Sequence, residues 1–133
     1  MSEEKYKMRI VRGAFVDEGV EMLDKLGAET IEKFEEGDYW ISIDEVVVTL
    51  KQIEELQKQM VKHYEDFKVP WYMDGYKEND RDEVVVAFGA DDGEGGKIFQ
   101  FKRGDKKEIQ KVRDYGISKG IPREQLDFHK IDF

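Results

Sequence analysis

Ser42-Ile-Asp-Glu-Val-Val-Val-Thr-Leu-Lys-Gln-Ile-Glu-Glu-Leu-Gln-Lys-Gln-Met-Val-Lys-His-Tyr-Glu-Asp-Phe67 is the stretch on which the reading of the fold turns. Ser42-Ile-Asp-Glu45 has the form of a capping box, in which the hydroxyl accepts from the amide three residues on and the glutamate reaches back. Behind it Val46, Leu50, Ile53, Met60, Tyr64 and Phe67 recur at helical spacing, with Val47, Leu56 and Val61 widening the stripe. The pattern predicts one long helix from about Ile43 to Phe67, stopped by Pro70.

On the N-terminal side, Tyr6-Lys-Met-Arg-Ile10 alternates apolar and charged residues and predicts a strand running to about Phe15. A short helix over 17–26 follows, ended by Gly27. Thr30–Phe34 and Tyr39–Ile43 flank Glu35-Glu-Gly-Asp38 and suggest a hairpin. On the C-terminal side, Trp71-Tyr72-Met73 reads as a short extended piece before an acidic loop over Asp74–Glu83. Two strands then flank a glycine-rich loop. Val84, Val86 and Phe88 share a face of the first, and Phe99 and Phe101 share a face of the second. A helix over about Lys106–Lys119 would bury Ile109, Val112 and Gly116, and Leu126–Ile131 reads as a last strand. The order around the two main helices is β-α-β-β-α-β. The expected fold is α+β: a ferredoxin-like sandwich variant with an N-terminal β-α extension, in which helices cover one face of an antiparallel or mixed sheet. No shift of composition divides the chain, so one domain over 1–133 is expected.

The 133 residues carry a net charge of −9 and 40% charged residues, yet 39% are hydrophobic and 12% aromatic. That is enough apolar matter for a core. The acidic balance repels phosphate backbones and anionic lipid surfaces, so neither nucleic acid nor a membrane is expected as a partner. There is no cysteine, which excludes disulfides, thiolate nucleophiles and Cys-held metals. The longest run without Asp, Glu, Lys or Arg is Val84–Ala90, far short of the ~20 residues of a membrane span. The charged N-terminus has no leader-like apolar core. A soluble cytoplasmic protein is the expectation. One Asn, two Thr and three Ser among many Glu and Lys lean toward a heat-adapted source.

Gly89-Ala-Asp-Asp-Gly-Glu-Gly-Gly-Lys97 is the most motif-like segment. As a phosphate loop it fails: Asp91 stands where the first glycine belongs and Ile98 where a hydroxyl belongs. Its carboxylates, Asp91, Asp92 and Glu94, are weak cation candidates, because they lack the alternating spacing of a calcium loop. A hairpin turn, mobile because it is longer than a hairpin needs, is the simplest reading. His63 and His129 are weak general-base candidates. Ser42 is taken up as a helix cap, and Ser118 lies in no nucleophile elbow, so serine chemistry is not expected. Trp71, Tyr72 and Tyr76 are the candidate ligand or interface residues, since such rings bury area at small entropic cost. No cofactor is implied. The expected function is a non-catalytic binding or regulatory module that self-associates. The alternatives are a small acid–base enzyme pairing a histidine with a carboxylate beside the 89–96 loop, and an acidic protein that docks on a basic partner.

Overall fold

The computed structural model describes residues 4–36, 39–61, 70–90, 93–121 and Leu126. They form an α+β fold: a six-stranded, wholly antiparallel sheet and three α-helices. The elements are β1 (Lys5–Val11), a 3-10 turn (Arg12–Ala14), α1 (Asp17–Lys25), β2 (Glu29–Glu36), β3 (Tyr39–Thr49), α2 (Leu50–Gln59), β4 (Tyr72–Lys77), β5 (Asp80–Phe88), β6 (Ile98–Lys102) and α3 (Lys106–Ser118). The strand order is β2-β3-β1-β4-β5-β6.

The stretch 42–67 divides where a single helix was expected. Ser42 to Thr49 belong to β3, paired along their whole length with β1. Asp44, Val46 and Val48 are buried while Val47 is exposed, which is the period of a strand and not of a helix. Three successive valines and a threonine are β-branched and fit a pleated surface better than a helix. The working capping box lies seven residues later. Thr49 Oγ1 accepts from the Gln52 amide (3.3 Å), and Gln52 Oε1 accepts from the Thr49 amide (2.9 Å). The strand passes into α2 without a connecting residue. Residues 62–69 lie outside the described residues, and so does most of the expected last strand over 126–131.

The strand at 5–11 is no extension. β1 sits inside the sheet between β3 and β4, and the β-α-β-β-α-β run is made by the first six elements. β3 and β4 are both antiparallel to β1, so they are parallel to each other, and α2 joins them across β1. α1 joins β1 to β2 across β3 in the same way. A six-stranded sheet of this order is not the four-stranded ferredoxin-like sheet the sequence suggested.

Helices lie on both faces, not on one. Tyr6, Met8 and Ile10 of β1, Val46 and Val48 of β3, and Val85 and Ala87 of β5 form one core with Leu23 of α1 and Ile53 and Leu56 of α2. Val84, Val86 and Phe88 of β5 form a second core with Phe101 of β6, Ile109 and Val112 of α3, Ile121 and Leu126. β5 is therefore buried on both sides, which is why Val84–Phe88 is apolar without alternation. The acidic segment 74–83 is a hairpin and not a loop: only Glu78 and Asn79 form the turn between β4 and β5, and Asp74 is nearly buried. No described helix is long and apolar enough to cross a membrane.

Two further features fix the sheet. Asp44 is completely buried on the α1 side, where Oδ2 accepts from Arg12 Nε (2.9 Å) and Oδ1 accepts from Thr30 Oγ1 (2.7 Å). Arg12 also bonds Asp24 of α1, so the turn after β1 is tied to both sheet and helix. Gly75 of β4 lies opposite Met8 of β1. A Cβ there would overlap the Lys7 carbonyl oxygen and sit 2.8 Å from Met8 Cα. Both obstacles are backbone, so no side chain can move aside. Gly75→Ala is expected to cost about 3 kcal/mol or more in denaturant unfolding, as overpacking between central strands does.

The pH response also has a predicted sign. Burial, then the charge of Glu4, raises the Tyr6 hydroxyl above its ordinary 10.0. Hydrogen bonds to Glu45, Glu4 and Glu83 raise the ammonium groups of Lys7, Lys77 and Lys102 above 10.5. Each raised group stabilises the fold fully below its unfolded pKa, and that stability is lost as pH rises through the folded value. Denaturant titrations should show no loss from these groups between about pH 7 and 9 and a decline above about pH 10, less steep in Tyr6→Phe.

Candidate functional site

The glycine-rich segment is the turn of the β5–β6 hairpin, as its composition suggests. Strands Asp80–Phe88 and Ile98–Lys102 pair antiparallel. Gly93, Gly95 and Gly96 all take positive φ (91°, 78° and 96°), a region open to glycine at little cost. The described ends of the loop are held down. Gln57, in the last turn of α2, is 3% exposed. Its Nε2 donates to the carbonyl oxygens of Phe88 (2.8 Å) and Lys97 (3.4 Å), and its own backbone oxygen accepts from the Ala90 amide (2.9 Å). Gly96 packs so closely on this amide group that a Cβ would lie 3.1 Å from Nε2. The Phe88 amide donates to the Lys97 oxygen (2.9 Å), closing the hairpin neck.

Beside this neck, on the α3 side of the sheet, four rings cluster. Phe88 is buried at the centre, 5.7 Å from Tyr72, 6.0 Å from Phe99 and 4.8 Å from Tyr115, centroid to centroid. Phe99 and Tyr115 are 5.3 Å apart. The tilted and edge-on angles suit the ring quadrupoles. Tyr72, Phe99 and Tyr115 are only partly buried, so the cluster ends in a half-exposed aromatic shelf. Lys97 Nζ lies 5.2 Å from the Phe99 centroid and 5.3 Å from that of Tyr115, and Lys119 Nζ lies 5.2 Å from Tyr115. Lys97 Nζ is also 3.9 Å from Glu94, both side chains being about half exposed.

The residues singled out from sequence do not converge. Trp71 packs against the core under α1 and α2, whereas its neighbour Tyr72 packs on the opposite core under α3. Tyr76 shares the Tyr72 face of β4 two strand positions beyond Asp74, and Arg81 lies over its ring at 5.2 Å. Of the loop carboxylates, Glu94 is exposed, while Asp91 and Asp92 lie outside the described residues, as do His63 and His129. Among the described residues no group of three or more carboxylates and histidines is placed to hold a metal ion.

Sequence reasoning missed Gln57, Lys97, Lys119 and Tyr115. Gln57 had a signal: with Ile53, Leu56 and Met60 it completes the i, i+3, i+4, i+7 stripe of α2. A polar residue on a core stripe points to a buried hydrogen bond. The two lysines had none, because only the fold sets Tyr115 of α3 against β6. Comparison with family models, with curated proteins and with solved structures gives no match.

Gln57→Ala is expected to destabilise the fold by about 1–3 kcal/mol, since the carbonyls of Phe88 and Lys97 lose a donor. Hydrogen exchange of the Ala90 amide should speed up by more than that of Val85, at the centre of β5; equal acceleration would show that Gln57 does not hold the loop in particular.

Proposed function

We propose that the chain is a small non-catalytic binding or regulatory module that self-associates through the half of its sheet that α3 leaves open. The supporting observation is Val47. It is 36% exposed on β3, on a face it shares with half-buried Ile43 and Val11. The register places Lys7 opposite Val47 and Arg9 between Glu45 and Asp74. Lys7 also reaches Glu45 at 3.2 Å. A surface with both signs of charge and an apolar centre is complementary to itself under a two-fold rotation.

Edge pairing is the less favoured route. β2 is interrupted by a bulge between Thr30 and Glu32 and carries Glu29 and Lys33, and β6 is five residues long. Bulges, charges and short strands blunt an edge. In the same reading the first six elements are two interlocked split β-α-β units, a ferredoxin-like core to which β5, β6 and α3 are added. The lack of cysteine suits a reducing, cytoplasmic compartment.

Light scattering on a size-exclusion column at about 100 μM should give a dimer or larger species. Val47→Lys should return it to the monomer with little change in melting temperature. A strict monomer for the parent chain overturns the reading.

A further inference from the structure

In a chain of net charge −9, two ammonium groups are ordered around one tyrosine ring. Lys97 closes the glycine-rich turn and Lys119 follows α3, and both lie about 5 Å from the Tyr115 centroid. The turn itself borders this place: a Cβ on Gly93 would lie 3.6 Å from Lys119 Nζ, and one on Gly95 would meet open space.

We propose that this shelf binds a small planar aromatic anion, a flat ring carrying a carboxylate or a phosphate. Phe99 and Tyr115 offer partly exposed ring surface, on which another flat ring buries apolar area with little loss of rotamer freedom. Lys97 and Lys119 supply positive charge at the rim of that surface. Glu94 is the polar neighbour a ligand must displace. Its 3.9 Å separation from Lys97, with both side chains about half exposed, makes it a weak competitor. The carboxylates of the turn, which argue against a phosphate held by backbone amides, do not argue against an anion held by ammonium groups. Gln57 keeps the turn at the edge of the shelf, so Lys97 is presented on a fixed neck. This site uses β6, α3 and the turn, and stands or falls independently of the self-association of the β1–β3 face.

The test is a titration of the isotope-labelled chain with benzoate and with phenyl phosphate, set against acetate, inorganic phosphate and phenol. Amide shifts of Lys97, Phe99, Tyr115 and Lys119 report binding. Each aromatic anion should move these amides, and at least one should bind about 10-fold tighter than its non-aromatic half and than phenol. The tighter of the two names the acidic group. Lys97→Gln with Lys119→Gln should weaken binding by about 10-fold at unchanged melting temperature, and Phe99→Leu should lower the preference for the aromatic probe. The proposal is overturned if no probe moves these amides, if the aromatic anions bind no tighter than acetate and phosphate, or if the double-lysine variant binds like the parent.

Discussion

The burial of β5 on both faces is the constraint from which the rest of the architecture follows. Val85 and Ala87 need cover on one side, and Val84, Val86 and Phe88 need it on the other. α1 and α2 supply the first and α3 the second, so the molecule has two apolar cores that share one strand. Burying a side chain of this size contributes about 1.5–3 kcal/mol, and five in succession make β5 the costliest element to remove. Because the cores meet in a single backbone, neither can lose its packing without disturbing the other.

The polar interior is arranged around the same sheet. Asp44 satisfies Arg12 and Thr30 and is satisfied by them, which turns a buried carboxylate from a liability into a tie between sheet, turn and α1. Such pairs stabilise little against an apolar alternative of equal volume, but losing one partner is costly. Gln57 plays the corresponding part at the other end of the first core. It has no charge to desolvate, and it joins a helix to a hairpin through two carbonyls that the sheet leaves over.

How far the sequence showed all this depends on the range of the forces involved. α1, the β2–β3 hairpin, the β5–β6 hairpin and α3 with Ile109, Val112 and Gly116 inward were legible, because each is set by local period and turn chemistry. The stretch 43–49 was not. Val46 and Leu50 are four apart and satisfy a helical template, while the pairing partner that makes 43–49 a strand lies at 5–11. The side on which each helix packs was likewise hidden: an apolar run such as Val84–Phe88 says that both faces are covered but not by what. At the candidate site the turn was legible from its glycines. The shelf was not, since Tyr72, Phe99 and Tyr115 come from three separate elements.

The direct passage of β3 into α2 at Thr49 joins these observations mechanically. With no linker to absorb a displacement, strand and helix behave as one bent rod whose elbow is clamped by the reciprocal Thr49–Gln52 bonds. One end of the rod carries Val47 on the open sheet; near the other, Gln57 grips the hairpin neck. A tilt imposed on the strand is passed along the rod without slack, and the Lys97 carbonyl is among the first atoms to feel it.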